Sequence, residues 1–252
     1  MMQDQARKVL GLIDLTSLND NDNPEKITNL CKNANSKFGN VPAICIYSRF
    51  IQHAKEYFKQ HNQKIKIATV TNFPHGSTDL DIALYETDLA INRGADEVDI
   101  VFPYHALIDG DNIIGAQMIF NAKKICKNKT LKVIIESGEL KTQELIELAS
   151  KISIDNGADF IKTSTGKVKV NSTLESAEIM LQVIKSSGTN CGFKAAGGIR
   201  TVKEAIEYLD LAANLMGKDW ISSEKFRFGA SALLSDVMNI LSGSSNNSHA
   251  SY

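Results

Sequence analysis

An eightfold alternation of segments is the feature that most limits what this chain can fold into. Short apolar or β-branched runs at residues 10–15, 43–47, 65–71, 97–102, 131–136, 158–163, 191–195 and 226–228 read as strands. A longer amphipathic stretch follows each of them, at 24–37, 49–61, 78–92, 105–127, 141–156, 172–186, 202–216 and 230–241. Strands joined through helices pair in parallel, because the crossover helix carries the chain back before the next strand begins. Eight such units close without leaving an edge, so the predicted class is α/β, a single (βα)8 TIM barrel. The 252 residues suit that fold as one domain over 1–242, followed by a short flexible tail at 243–252. The tail reads GSSNNSHASY, a low-complexity polar stretch with nothing to bury.

Helix punctuation agrees with these boundaries. Asn23 precedes Pro24, a cap residue followed by a proline suited to a first helical turn. Thr201 and Glu204 have the spacing of a capping box ahead of the 202–216 helix. Asn92-Arg93-Gly94-Ala95-Asp96 and Asn156-Gly157-Ala158-Asp159 echo one another, each closing a helix and leading into a strand. Glycine suits the left-handed position after a helix, and a generic helix-to-strand turn is the plainer reading of the echo.

Hydrophobic residues make up 43% and charged residues 23% of the chain, the usual balance for a globular core. A net charge of -1 and a pI near 6.5 give no overall field for gathering nucleic acid or an anionic membrane surface. Cys31, Cys45, Cys126 and Cys191 lie far apart and read as reduced thiols, not as a disulfide framework. The first ten residues carry Asp4, Arg7 and Lys8, so neither a signal peptide nor an anchor is expected. No run approaches the roughly 18 apolar residues of a membrane span. A cytoplasmic location is expected, with no nucleic-acid and no membrane partner.

Parity along the strands is more telling. Alternate side chains of a barrel strand point inward, and the others pack beneath the helices. Ile161 suits the helix side, which turns Lys162 inward; Val98 and Ile100 do the same for Asp99, Phe193 for Lys194, and Ile13 with Leu15 for Asp14. Taken singly, each has a plainer reading, as a snorkelling lysine or a capping aspartate. Two lysines and two aspartates at one low-dielectric centre are costly unless they serve one another or a ligand. They lie near strand C-terminal ends, where active sites of this fold gather.

A lysine is a nucleophile only when deprotonated, and burial beside a second cation favours that state. Lys162 and Lys194 supply such a pair, and Asp99 could relay protons to water, a carbinolamine or a sugar hydroxyl. A neutral amine attacking an aldehyde gives an iminium, an electron sink suited to carbon–carbon cleavage. Glycines form a second constellation: Gly166 and Lys167 after the sixth strand, Gly197 and Gly198 after the seventh, Gly229 and Ser231 after the eighth. Backbone N–H groups there can approach an anion, and loops after the last two strands are the usual phosphate seat of this fold.

Metal readings find little support. His53, His61, His75, His105 and His249 show no ligand spacing, and His75 suits a structural loop. Cys45 lies in an apolar run and reads as a small buried hydrophobe. The Asn19–Pro24 cluster lacks the glycine and glutamate of a calcium loop and reads as a solvated loop with a helix cap. No metal and no cofactor are expected.

With these residues in view, the sequence resembles the deoxyribose-phosphate aldolases, a class I aldolase family, from Asp14 nearly to the C-terminus. The likeness is carried by Asp14-Leu15-Thr16-Ser17-Leu18-Asn19, Ala43-Ile44-Cys45-Ile46-Tyr47 and Ala68-Thr69-Val70-Thr71-Asn72-Phe73-Pro74. Gly94-Ala95-Asp96-Glu97-Val98-Asp99, Lys132-Val133-Ile134-Ile135-Glu136 and Phe160-Ile161-Lys162-Thr163-Ser164-Thr165-Gly166-Lys167 complete it. It is closest to the bacterial branch that carries Asn-Phe-Pro-His-Gly and a tail ending in tyrosine.

The resemblance implies metal-free and cofactor-free cleavage of 2-deoxy-D-ribose 5-phosphate to acetaldehyde and glyceraldehyde 3-phosphate, in deoxynucleoside catabolism. It places the Schiff-base lysine at Lys162, the catalytic aspartate at Asp99 and the second lysine at Lys194, with Asp14 supporting. It places phosphate binding at Gly166, Lys167, Gly197, Gly198, Gly229 and Ser231. Relatives are often dimers, so a homodimer is an expectation. Tyr252, at the end of the tail, could fold over the mouth and move the enamine proton; a disordered end is the plainer reading. Two positions depart from the pattern: Ala195 where many relatives have proline, and Ala232 where a second serine is common. Loss of that hydroxyl removes about 1 kcal/mol if it met a phosphate. Another class I aldolase or a transaldolase fits the motifs less well, and a non-catalytic phospho-sugar-binding barrel has no need of all three catalytic residues.

Overall fold

The computed structural model describes residues 2–243; Met1 and residues 244–252, with the predicted tail and Tyr252, lie outside the described residues. In chain order the elements begin with helix α1 (Met2–Leu10), strand β1 (Ile13–Thr16), α2 (Pro24–Asn33), the hairpin strands β2 (Asn35–Ser36) and β3 (Gly39–Asn40), and β4 (Ala43–Ile46). Next come α3 (Ile51–Gln60), β5 (Lys66–Thr71), α4 (Leu80–Asn92), β6 (Glu97–Val101), α5 (Tyr104–Ile108), α6 (Ile113–Cys126) and β7 (Thr130–Ile134). The chain continues with α7 (Ser137–Leu140), α8 (Gln143–Asp155), β8 (Phe160–Lys162), α9 (Leu174–Ser187), β9 (Gly192–Ala196), α10 (Val202–Met216), β10 (Phe226–Ala230) and α11 (Leu233–Ser242). Eight parallel strands pair in the order β1-β10-β9-β8-β7-β6-β5-β4 and close on themselves, the predicted (βα)8 TIM barrel. Among the described residues, no helix is long and apolar enough to cross a membrane.

Several boundaries differ from the sequence expectation. Residues 2–10 form a helix, and the first strand starts at Ile13, not Leu10. This short helix buries Ala6, Val9 and Leu10 and packs against α10 and α11; its stability comes from that tertiary contact more than from propensity. The stretch 105–127 is two helices, broken where Gly110 takes a φ of 93° and the Asp111 carboxylate accepts from the N–H groups of Ile113 and Ile114. Helix α2 stops at Asn33 and gives way to the small hairpin. The final helix starts three residues later than expected because β10 runs on to Ala230.

The punctuation holds. Asn23 caps α2 by accepting from Lys26 N–H, and Thr201 with Glu204 forms the capping box of α10. The echoed turns share one function. Asp96 accepts from Ile67 N–H at 3.1 Å and pairs with Lys129 at 3.0 Å. Asp159 accepts from Leu131 N–H at 2.8 Å and pairs with Lys123 at 2.5 Å. In both cases an aspartate ties the start of its strand to the strand before it.

The pleat sorts the barrel as parity predicts. Val98, Ile100, Leu131, Val133, Ile161, Phe193, Phe226 and Phe228 are buried in the layer between strands and helices. The opposite face fills the barrel and divides in two. On the β4–β5 side Cys45, Ala68 and Val70 form a small apolar cluster with Leu18. On the β6–β10 side the interior is charged, and strand register sets the charges level with one another. Asp99 lies beside Lys132, Lys162 beside Lys194, and Lys194 beside Arg227. All four cysteines are free and buried, and burial pushes the thiols of Cys31, Cys126 and Cys191 up to about 12.

Candidate active site

The four interior charges read from parity meet in the barrel. Lys162 Nζ lies 2.9 Å from Asp99 Oδ2. Lys194 Nζ sits between two carboxylates, 2.8 Å from the same Asp99 oxygen and 2.5 Å from Asp14 Oδ2. All four side chains are buried, and Lys162 alone retains a trace of exposure, 3%. It faces a pocket of about 770 Å³ at the C-terminal mouth of the barrel.

The two lysines sit in the same neighbourhood yet respond oppositely. Burial pushes the Lys162 amine below the ordinary lysine range and Lys194 pushes the same way, while Asp99 opposes both. Lys194 also suffers desolvation, but Asp14 and Asp99 together overcome it and hold its ammonium well above the usual value. Asp99 and Asp14 are held below the ordinary carboxylate range despite burial, Asp99 by Lys132, Lys162 and Lys194, Asp14 by Lys194, Arg227 and Lys132. One lysine is therefore biased toward the free amine and its neighbour toward the fixed cation. Such a pairing can form an imine with an aldehyde.

Three more charges line the interior without being singled out in the sequence. Lys132 on β7, Arg227 on β10 and Glu97 on β6 are all essentially inaccessible to solvent. Their signal was the same parity, since Leu131 and Val133 flank Lys132, Phe226 and Phe228 flank Arg227, and Glu97 lies two residues before Asp99. Glu136, just past β7, also escaped notice. It adopts a left-handed backbone with φ 54° and ψ 58°, and its carboxylate accepts from Thr165 N–H at 3.2 Å, anchoring the loop after β8. Burial raises the Glu136 carboxyl above its usual value.

Every glycine-loop residue predicted for an anion lines the same pocket as Lys162: Gly166, Lys167, Gly197, Gly198, Gly229 and Ser231. Gly166, Gly197 and Gly198 have φ of 82°, 82° and 89°, a region closed to most side chains. Gly229 has a different reason to be glycine: a Cβ there would sit 3.1 Å from the Lys194 side chain. Lys167 Nζ reaches across the mouth to donate to Leu18 O at 2.6 Å, joining the loop after β8 to the loop after β1. That second loop is not merely solvated, since the buried Asp22 accepts from Ser17 Oγ at 2.9 Å and Asn19 N–H at 3.1 Å. Beyond Ser231, α11 starts at Leu233 without a side-chain cap, so no capping side chain competes with an anion for the Leu233 and Leu234 N–H groups. Arg200, missed in the sequence, adds a cation to the pocket wall. Tyr252 lies outside the described residues.

A family model described as DeoC/LacD family aldolase matches residues 8–237. A crystal structure from Toxoplasma gondii, provisionally named a deoxyribose-phosphate aldolase, superposes with a TM-score of 0.88 at 24% identity, covering 97% of this chain and 98% of that one. One from Coccidioides immitis, with the same provisional name, gives 0.81 at 26% identity over 92% and 87%. The tetrameric deoxyribose phosphate aldolase from Aeropyrum pernix gives 0.76 at 20% over 95% and 96%. This chain belongs to the DeoC/LacD aldolase family.

Proposed function

We propose that this aldolase cleaves 2-deoxy-D-ribose 5-phosphate to acetaldehyde and D-glyceraldehyde 3-phosphate through an imine on Lys162. The observation that carries the reading is the pairing of a lowered Lys162 amine, open to the pocket, with the fixed cation of Lys194 across one oxygen of Asp99. The positive-φ glycine loops and the open start of α11 supply the phosphate seat, and a pocket of about 770 Å³ is ample for a five-carbon sugar phosphate. The name of the Coccidioides relative supports the same substrate.

In this reading the neutral Lys162 amine adds to C1 of the open-chain sugar, and loss of water leaves an iminium. Asp99, directly or through water and with Asp14 holding Lys194 in place, accepts the proton of the C3 hydroxyl. The C2–C3 bond breaks, its electron pair flows to the iminium nitrogen, and the departing C3 becomes the carbonyl carbon of glyceraldehyde 3-phosphate. Protonation of the resulting enamine at C2 and hydrolysis release acetaldehyde and restore the amine. Acetaldehyde with borohydride should leave a two-carbon adduct on the peptide containing Lys162, and the sugar phosphate should yield glyceraldehyde 3-phosphate in a coupled assay. An adduct at another lysine, or none, would overturn the assignment.

A further inference from the structure

The charges behind Lys162 form a closed circuit. Glu97 Oε1 meets Arg227 Nη2 at 3.1 Å, and Arg227 Nη1 meets Asp14 Oδ1 at 2.5 Å. Asp14 Oδ2 meets Lys194 at 2.5 Å, and Lys194 meets Asp99 Oδ2 at 2.8 Å. Asp99 Oδ1 then meets Lys132 at 2.7 Å, and Lys132 returns to Glu97 Oε2 at 2.5 Å. Three carboxylates and three cations alternate around this ring, which is electrically complete. Lys162 is a seventh ionisable group, outside the ring. Among the described residues its one carboxylate contact, Asp99 Oδ2, is an oxygen that Lys194 already occupies.

We infer that Glu97, Arg227 and Lys132, none of which lines the pocket, are positioning residues whose charges complete a neutral ring and so deny Lys162 a counter-ion of its own. The inference draws its catalytic meaning from the reading of Lys162 as the imine-forming amine. Among the described residues, Cys45, from β4, and Glu136, from the end of β7, also act on Lys162. Neither offers an unopposed anion. The Cys45 thiol is pushed up by burial, which disfavours its thiolate, and the Glu136 carboxyl is raised by burial and engaged by Thr165 N–H. At the far end of the ring Lys66 approaches Glu97 Oε1 at 3.4 Å, but it is 41% exposed and shared with Glu224, so solvent screens it. Arg227 is well suited to the floor: its guanidinium cannot deprotonate, its plane spans two carboxylates, and the Phe160 ring lies 5.9 Å away.

The circuit makes a signed prediction that ordinary structural damage does not share. Removing a ring anion leaves surplus positive charge, which drives the Lys162 amine further toward neutrality. Removing a ring cation leaves a surplus carboxylate, which recruits a proton to Lys162. Site-resolved acetylation with trace acetic anhydride, from about pH 6 to about pH 10, reads the free-amine fraction of Lys162 without any aldehyde. Glu97→Gln should move its half-titration down by about one unit, and Lys132→Met and Arg227→Met should move it up by a similar amount. The double variant Glu97→Gln with Lys132→Met restores neutrality and should titrate close to the parent, and Arg227→Lys should do the same. Opposed shifts together with restoration in the double variant support the ring. Shifts of one sign, or additive shifts in the double variant, overturn it. Should the methionine variants fail to fold, the near-isosteric Glu97→Gln decides alone: no shift, or an upward one, overturns the inference. Failure of aldehyde trapping at Lys162 alongside opposed shifts would remove the proposed reaction and leave the ring standing, so the two readings fail separately.

Discussion

Lys162 and Lys194 are the same residue type, on adjacent strands and in register, yet their environments drive them apart. The difference lies in how many carboxylates each one meets. Lys194 holds Asp14 as well as Asp99, whereas Lys162 touches only an Asp99 oxygen already in use. Lys194→Leu should therefore do more than delete a neighbour. It takes a shared cation from both aspartates and leaves one surplus negative charge that draws a proton onto Lys162, so acetaldehyde trapping at pH 7 should fall at least about tenfold, equivalent to one pKa unit. The loss should recover as the pH is raised toward that of a free lysine; a pH-independent loss would mean that Lys194 acts by shape alone. At this scale the sequence disclosed much of the site, because inward parity picks out Asp14, Asp99, Lys162 and Lys194 without coordinates. The ring beneath them escaped notice although Lys132 and Arg227 obey the same parity. One charge in a short apolar run reads as a side chain reaching for water, and only strand register shows that these reach one another.

Elements position those residues through close approaches that only glycine permits. Gly197, between β9 and α10, combines a φ of 82° with a Cβ direction that would end 2.7 Å from the side chain of Asn171 on the neighbouring loop. Gly197→Ala forces the loop either to change its backbone or to displace Asn171, at a local cost of about 1–2 kcal/mol for the left-handed conformation alone. The proposed phosphate seat lies on this loop and the lysines do not. The expected result is a KM for the phosphorylated sugar raised severalfold, with trapping of unphosphorylated acetaldehyde at Lys162 nearly unchanged. An equal loss in both would place Gly197 in support of the lysines instead. Gly192, in β9, serves the barrel floor, where a Cβ would lie 2.6 Å from the Phe160 ring and 2.8 Å from Lys225 O. Overpacking of this kind costs about 1–3 kcal/mol, so Gly192→Ala should lower the urea midpoint. Element order and type were legible from periodicity, while ends and short pieces were not. Helix α1 rests on α10 and α11, the Gly110 break depends on one backbone dihedral, and the hairpin after α2 is only two residues on each side. None of these leaves a period long enough to read.

At the scale of the whole molecule, a barrel of this kind is usually filled by branched apolar side chains, and this one commits half its interior to ions. Asp14, Glu97 and Asp99 are held below their ordinary values. Groups of this sign contribute stability that is present above their unfolded values, about 3.9 for Asp and 4.3 for Glu, and lost as the pH falls through the folded ones. Lys132 and Lys194 are raised, so their contribution is complete below the unfolded value of about 10.4 and is lost as the pH rises through the folded one. The ring itself should therefore add almost no slope to the urea midpoint between about pH 5 and pH 9, and its carboxylates should cause a decline below about pH 4 that Asp14→Asn makes shallower. Lys162 has the opposite sign. Its folded value is lowered, so its proton opposes folding at every pH below the unfolded lysine value, and the native state carries this cost for the free amine that the proposed reaction needs. Lys162→Met should raise the urea midpoint at pH 7. Lys194→Met, which takes one cation from two buried carboxylates and leaves Asp14 on Arg227 and Asp99 on Lys132, should lower stability, by up to about 3 kcal/mol. Two lysine-to-methionine changes on neighbouring strands would then move stability in opposite directions, and equal losses from both would show that Lys162 belongs to the ring as an ordinary ion-pair member.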